Sequence, residues 1–581
     1  MCKLLKPSVE KPWLKYFSEE ARGASVPQNT IYRHLRENNE NGRGDTALNY
    51  FGRKISYGML LDEADRAAGA FAAAGIKKGD IVAAATVTIP EMVYALYGLN
   101  KIGAAPLMID PRTTASGVCG FIKETGAKIF IVIDLYYEVL KDALFESGVE
   151  KIVVISADTS LPKSIRFLKQ LKMPAPKIAT SDKVLTWPQF SATGVGVETE
   201  TVEYGENDLA AITLTGGTTG APKGVMLSND GFNAIAFDFK HCGVSYKRGQ
   251  RFMNIIPMFA SYGIVSSLHM PLSLGLEVII IPKFDAEKVG YYVKKYRPEH
   301  TLLVPAHYEK LMNSKEMAGG FDLSFFRTAG SGGDTMNAGL EAKLNSFLES
   351  RGCRYPLSQG YGMSEVSSAA SCCCNGNFKS LSVGYPLLTT TIGIFEPGTD
   401  NELDYGEEGE ICISGPSIML GYLNNKAETE NVIRRHVDGT LWVHSGDIGH
   451  MDSDGFVYIK GRIKRMITLF NGHKIFPTHI ESVLGRHPLV SSCAVVGVND
   501  TTHAQGELTL AVIETQEASL EKRIAIKNEL YEMCRQELEG PAKPHDMIFT
   551  DSMPHTGMGK IDYLKLAEDY NNENKNETEA V

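Results

Sequence analysis

From about Thr46 onward, short runs of β-branched and aliphatic residues recur at Ile81 to Val87, Ala105 to Ile109, Lys128 to Ile133, Lys151 to Ile155, Ala211 to Leu214, Glu277 to Ile281 and Thr301 to Val304. Stretches with apolar residues on one helical face lie between several of them. The clearest, Tyr57 to Ala74, follows Ser56, whose hydroxyl can cap a helix, and stops at Gly75, which suits a helix end. This alternation predicts an α/β fold, a largely parallel sheet covered by helices.

After about Leu388 the rhythm changes to close-set short strands parted by Gly, Asp and Asn, at Gly409 to Ser414, Leu441 to Val443 and Phe456 to Ile459. They predict a β subdomain over about residues 388–460. Beyond Lys460, a hairpin, a helix over Pro477 to Gly485, a strand over Ser492 to Val498 and a helix over Leu520 to Leu538 predict a separate α+β domain. The expected plan is a large N-terminal domain of mixed and parallel sheets with helices, residues 1–463, followed by a small mobile domain, residues 464–567. Glu568 to Val581 holds four Asn, four Glu and almost nothing to bury, which predicts a disordered tail.

A chain of 581 residues exceeds what one core organises, in keeping with two domains. Its 43% apolar and 22% charged residues lie near soluble averages. A formal charge of −10 argues against a surface built for nucleic acid. The longest apolar runs, such as Lys128 to Tyr137 and Glu277 to Pro282, fall short of the ~20 residues of a membrane span. Met1 to Pro12 has no apolar core of the kind a secretory signal carries, and the ten cysteines are scattered, so reduced thiols and a cytoplasmic setting are expected. The run Cys372, Cys373, Cys374 lacks the spaced pairs of a zinc site and reads as structural thiols or loop residues.

Candidate chemistry centres on Ile212 to Val225, ITLTGGTTGAPKGV, where an apolar strand runs into hydroxyls and glycines and then a lysine. Gly216, Gly217 and Gly220 let backbone amides approach phosphate oxygens, Thr215, Thr218 and Thr219 add donors, and Lys223 adds charge. It is not a Walker loop, because Lys223 follows Pro222 and precedes Gly224. Thr215 to Gly224 resembles the phosphate loop of the adenylate-forming superfamily, which includes acyl-CoA synthetases, peptide-synthetase adenylation domains and firefly luciferase.

Other segments resemble that superfamily in the same order. Gln359 to Glu365, QGYGMSE, implies Tyr361 stacked on adenine with Gly362 and Ser364 beside it, and Glu365 holding Mg²⁺ with Thr215. Gly330 to Asp334, GSGGD, implies Gly332, Gly333 and Asp334 against the other face of the base. Trp442 to Asp447, WVHSGD, implies Asp447 on the ribose hydroxyls with Arg462 as its partner. Pro554 to Asp562, PHTGMGKID, implies Lys560 between the acid's carboxylate and the α-phosphate. Attack of a carboxylate on phosphorus loads negative charge onto the equatorial oxygens, and a cation placed there stabilises the transition state, as Mg²⁺ does for departing pyrophosphate. Lys464 falls at the resemblance's hinge between large and small domains, and Asn471-Gly472 at its loop beside the pantetheine channel.

The same resemblance assigns the acyl pocket to Phe259, Ala260, Gly263, Val304, Gly330, Ser331 and Gly360. Ala260 stands where many members carry a ring and where amino-acid-activating relatives carry an Asp, which disfavours an amino-acid substrate. Lys11-Pro12-Trp13-Leu14 and the Thr-Gly-Gly-Thr-Thr-Gly loop resemble bacterial medium- and long-chain fatty acid CoA ligases. The implied activity is conversion of a carboxylic acid by ATP into an acyl-adenylate, with release of pyrophosphate, and transfer of the acyl group to CoA. A carrier-protein phosphopantetheine as acceptor, or an aryl or bile acid as substrate, stays open. Ser160 to Lys177 interleaves Lys163, Arg166, Lys169, Lys172 and Lys177 with Leu161, Ile165, Phe167, Leu168 and Leu171. It reads either as a solvated helix or as a peripheral contact with the inner membrane face.

Overall fold

The computed structural model describes residues 6–572, apart from 173–175, 216–221, 283, 335, 375, 501–502, 504–505, 539–542 and 555–560, together with the backbone of 573–579. Two large sheets organise the N-terminal part. The first runs in the order Val184–Thr186, Lys151–Ile155, Ile129–Ile133, Ile81–Ala85, Ala105–Ile109, Leu209–Leu214, Gly224–Ser228, Gly421–Tyr422, parallel as far as Leu209–Leu214 and antiparallel beyond. The second runs Tyr385–Pro386, Ser371–Cys372, Ser358–Tyr361, Thr328–Ser331, His300–Leu303, Arg251–Asn254, Glu277–Ile280, Thr46–Tyr50, Arg53–Ser56. Its centre is parallel and both edges are antiparallel.

Helices fill the space between the sheets. Tyr57–Ala73 starts where Ser56 accepts a hydrogen bond from the Met59 N–H at 3.1 Å. Every residue of the neighbouring helix, Pro90–Lys101, is buried. The two helices touch so closely at Gly98 that a Cβ there would lie 2.7 Å from the Ala64 carbonyl oxygen, so any side chain would force them apart. One core holds residues of both sheets, such as Leu48, Ile55, Val82 and Met108, and extends into Ile392, Ile411, Val443 and Val457 of the β subdomain.

That subdomain is a five-stranded antiparallel sheet of Thr391–Phe395, Gly409–Ser414, Leu441–Met451, Ile433–Arg435 and Val457–Arg462. Leu441–Met451 is longer than its apolar pattern implies, because pairing on both sides carries the strand through Ser445, Gly446 and Asp447. After Ile463 come the hairpin Ile467–Thr468/Lys474–Ile475, the helix Pro477–Leu484, the sheet Ser492–Asn499/Glu507–Glu514/Asp546–Thr550 and the helix Leu520–Glu537. Their two cores contain only residues beyond 463.

The expected disordered tail, residues 568–581, overlaps a helix over Tyr563–Glu579. Tyr563, Leu566, Ala567 and Tyr570 form a stripe against the C-terminal sheet, and a turn nucleated by packing propagates cheaply into polar sequence. Lys163–Lys172 is a helix without a buried residue, with Phe167, Leu168 and Leu171 59–69% exposed. Among the described residues, no helix is long and apolar enough to cross a membrane.

Candidate active site

The second large sheet delivers most of the expected site residues at the C-terminal ends of its parallel strands, where open α/β sheets bind ligands. Val304 follows His300–Leu303, Ser331 ends Thr328–Ser331, and Gly360 and Tyr361 end Ser358–Tyr361. Thr328–Ser331 and Ser358–Tyr361 pair Gly330 with Ser358 and Ser331 with Gln359, so the two glycine-bearing segments emerge side by side. A Cβ on Gly332 would lie 3.3 Å from the Gly360 carbonyl oxygen and one on Gly362 only 1.8 Å from that of Ser368. The glycines therefore form a backbone-walled slot. Gly333 adopts φ +80° at its rim, next to the exposed Asp334.

Tyr361 reaches from this slot to the β subdomain, where its hydroxyl donates to Asp447 Oδ2 at 2.7 Å. Burial first, and the nearby Asp447 charge second, hold the phenol pKa well above its usual range, so it remains a donor. Arg462 Nε meets Asp447 Oδ1 at 2.9 Å, because the two residues face each other in the antiparallel register. The turn that aims Asp447 is itself held. Gly446, at φ +71°, donates its N–H to Glu410 Oε1 at 3.0 Å, and Ser445 Oγ accepts the Asp447 N–H at 3.0 Å while donating to the Ile411 carbonyl at 2.6 Å.

Glu365 sits in a short helical turn, Ser364–Val366, and is 8% exposed. Its Oε1 accepts the Tyr422 hydroxyl at 2.6 Å, and among the described residues its other oxygen has no hydrogen-bond partner. Burial raises the Tyr422 pKa and Glu365 raises it further, so the phenol stays protonated. A buried carboxylate with one unengaged hard oxygen fits Mg²⁺. Thr215 follows Leu209–Leu214, and its Oγ1 accepts the Lys223 N–H at 3.3 Å across the mouth of the loop. The Lys223 ammonium pairs with the Glu428 carboxylate and lies 5.0 Å from the Tyr422 ring centroid. Lys223 in turn holds the Glu428 carboxyl below its usual pKa. Gly216, Gly217, Thr218, Thr219, Gly220 and Lys560 lie outside the described residues.

The acyl-pocket candidates border the same strand ends. Phe259 and Ala260 are half-buried, and Gly263, Gly330 and Ser331 are buried. From Tyr262 to His269 the helix is a π-helix, a form common at functional sites, and a Cβ on Gly263 would lie 1.9 Å from the Pro257 carbonyl oxygen. Ser331 Oγ and His307 Nδ1 are buried with no partner among the described residues, and burial lowers the His307 pKa to about 4. The candidate pocket segments are thus less uniformly apolar than their sequence suggests.

Lys464 is exposed in the turn Ile463–Arg465 that leads into the C-terminal part. Asn471 and Gly472 form the tip of the hairpin Ile467–Ile475, where Asn471 Oδ1 accepts the His473 N–H at 3.1 Å. They lie beyond Lys464, and the other described candidates before it.

Sequence reasoning missed Tyr422, Glu428 and Glu410. Each meets a candidate residue or its turn far away in the chain, 57 positions apart for Tyr422 and Glu365, 205 for Lys223 and Glu428 and 36 for Glu410 and Gly446, and no local pattern marks such partners.

The family model described as AMP-binding enzyme matches residues 35–423, and that of the AMP-binding enzyme C-terminal domain matches residues 479–560. A long-chain-fatty-acid CoA ligase of Bacillus subtilis (strain 168) is 28% identical over 571 residues, spanning 96% of this chain and 98% of its own. A 4-coumarate-CoA ligase of Narcissus pseudonarcissus is 27% identical, spanning 84% of this chain and 83% of its own. The crystal structure of ATP-bound MatB from Rhodopseudomonas palustris superposes with a TM-score of 0.77 at 23% identity, covering 93% of this chain and 99% of that one.

Proposed function

The chain belongs to the AMP-binding enzyme family and is an acid–thiol ligase, and from that premise we propose that it joins a medium- or long-chain fatty acid to CoA through an acyl-adenylate. The observation that carries this reading is the junction of Tyr361, Asp447 and Arg462 at the ends of the parallel strands, in a chain that also places Thr215 and Glu365 next to strands of the neighbouring sheet.

In this reading the adenine of ATP lies in the glycine slot against Tyr361, and Asp447, held by Tyr361 and Arg462, receives the ribose hydroxyls. The loop from Thr215 to Lys223 cradles the phosphates. Glu365 and Thr215 would hold Mg²⁺, which offsets charge on the departing pyrophosphate. The acid's carboxylate attacks the α-phosphorus beside Lys560, a phosphorus–oxygen bond to pyrophosphate breaks, and Lys560 stabilises the charge on the equatorial oxygens. Rotation at Lys464, the proposed boundary between residues 1–463 and 464–567, then exchanges Lys560 for the Asn471-Gly472 loop beside the CoA thiol, a gating step.

Ser331 Oγ and His307 Nδ1 favour a second reading, an acid with a polar substituent such as a hydroxylated aryl acid, because each could pair with that group. The exposed apolar face of Lys163–Lys172 supports a peripheral contact with the inner membrane face in a cytoplasmic protein.

The test is acid-dependent pyrophosphate exchange over a panel of fatty, aryl and bile acids, followed by thioester formation with CoA or a phosphopantetheine-loaded carrier protein. Exchange with fatty acids and thioester with CoA are expected. Exchange only with aryl acids, or thioester only with the carrier, would overturn the corresponding half. Lys560→Ala should leave ATP binding intact and slow exchange about 100-fold or more.

A further inference from the structure

One face of the β subdomain's sheet carries a polar group that the ligase chemistry does not use. Cys412 and His444 sit directly opposite each other across two antiparallel strands, with Glu410 two residues before Cys412 on the same face. Glu410, Cys412 and His444 are 6%, 0% and 5% exposed, beside the apolar patch of Phe395 and Trp442. His444 Nδ1 lies 2.9 Å from Glu410 Oε2 and 3.4 Å from Cys412 Sγ, and the three atoms all fall within 4.8 Å of one another.

Hydrogen bonding alone leaves this cluster short. Nδ1 carries either one proton or one lone pair. Protonated, it donates to Oε2 and cannot accept from the Cys412 thiol. Bare, it faces the Oε2 lone pairs at contact distance. A cation among the three atoms uses all three lone pairs at once.

We propose that Glu410, Cys412 and His444 form a structural site for a zinc-like divalent transition ion, with Glu410 Oε2, Cys412 Sγ and His444 Nδ1 as ligands. Tetrahedral zinc bonds place such ligand atoms about 3.3–3.6 Å apart, so an opening of a few tenths of an ångström seats the ion. The donor set of thiolate, imidazole and carboxylate suits zinc better than Mg²⁺. Binding releases one proton, from the Cys412 thiol to solvent. The two anionic ligands then balance the ion's two charges, so the buried complex is neutral.

The surroundings already hold these ligands. Glu410 Oε1 accepts the Gly446 N–H at 3.0 Å, which leaves Oε2 to the ion. His444 Nε2 lies 3.0 Å from Nε2 of the buried His436, so with its proton on Nε2 His444 has an acceptor there and leaves Nδ1 bare for the ion, and His436 Nε2 also lies 3.6 Å from Asp400 Oδ1. Through Glu410 and Gly446 the ion is tied to the turn that presents Asp447.

The test is titration of the full-length protein with Co²⁺ in the absence of nucleotide and Mg²⁺. One equivalent should bind with a thiolate-to-cobalt absorption band that Cys412→Ser abolishes, and His436→Ala should weaken binding by about 10- to 100-fold. No band in the wild type, or a band that survives in Cys412→Ser, overturns the site. Should Cys412→Ser fail to fold, anomalous diffraction from zinc-soaked wild-type crystals decides: a peak among the three ligand atoms supports the site, and zinc elsewhere or absent overturns it.

Discussion

The β subdomain and the C-terminal unit are built from similar material, short antiparallel strands with glycine turns, yet they stand in different relations to the large sheets. Ile392, Ile411, Val443 and Val457 of the subdomain belong to the same core as Leu48 and Val82. Nothing before residue 464 enters the two cores of the C-terminal unit. Both present a candidate site turn with a positive-φ glycine, Gly446 at +71° and Gly472 at +80°. The first is held by Glu410 and Ser445 from within its sheet. The second is held by bonds inside its own hairpin, Gly472 N–H to the Leu469 carbonyl at 2.8 Å and Leu469 N–H to that of His473 at 2.9 Å, and the hairpin is tied to the C-terminal sheet by Thr468 N–H to Glu507 Oε2 at 3.1 Å. A shared core makes a part of the scaffold; a separate core permits motion as a unit. Adenylate recognition needs the first property, and a two-step ligase uses the second.

The largest effect should come from breaking the rigid side. Asp447→Ala removes the partner of Arg462 and of the Tyr361 hydroxyl together and should lower exchange kcat/KM for ATP by about 100-fold or more, the worth of a lost charged hydrogen-bond partner. Loss confined to the CoA step would contradict its placement.

The C-terminal side should respond in the opposite pattern. Lys464→Pro restricts φ at the connection and should slow thioester formation by about tenfold while leaving exchange within about twofold, as read from the two half-reactions separately. Equal losses in both would remove the hinge role.

A third comparison concerns how the subdomain is moored. Asp238, fully buried on the helix Asn229–His241, accepts hydrogen bonds from Thr389 N–H at 2.9 Å and Thr389 Oγ1–H at 2.8 Å, just before the subdomain begins. Burial pushes its pKa up to about 7, despite those two bonds. The folded chain then keeps a proton that the unfolded chain releases near pH 4, so this group's stability contribution is greatest below that point and is lost as pH rises toward 7. Asp238→Asn mimics the protonated form and should flatten melting temperature against pH across that window. An unchanged slope would refute the assignment.

The smallest expected effect sharpens the contrast most. Gly446→Ala and Gly472→Ala both ask an L-residue for positive φ, at a cost of about 1–2 kcal/mol each, and neither new Cβ meets another atom within 4 Å. Gly446→Ala should reduce exchange, because the strain reaches Asp447. Gly472→Ala should leave exchange unchanged and weaken only CoA-dependent turnover.

Legibility in the sequence followed how local the cause of each feature is. Ala105–Ile109 and Lys151–Ile155 are strands with the expected bounds, since buried runs of aliphatic residues declare themselves. Thr328–Ser331 and Ser358–Tyr361, TAGS and SQGY, carry no such run and become strands because neighbours on either side pair with them. Those two strands and the turns after them hold many of the candidate site residues. The motif residues could be named as candidates because the demands of a phosphate loop or a ribose carboxylate fall within a few positions.

By itself, then, the sequence determined the α/β class, the two-part plan and the enzyme family, all of which follow from short-range periodicity and motif spacing. Only the tertiary structure decided the partners: Tyr422 on Glu365, Glu428 on Lys223, Glu410 beneath Gly446, and Cys412 opposite His444. Those pairings rest on strand register and sheet order, which set distances between residues tens to hundreds of positions apart and leave no trace in the neighbourhood of either one.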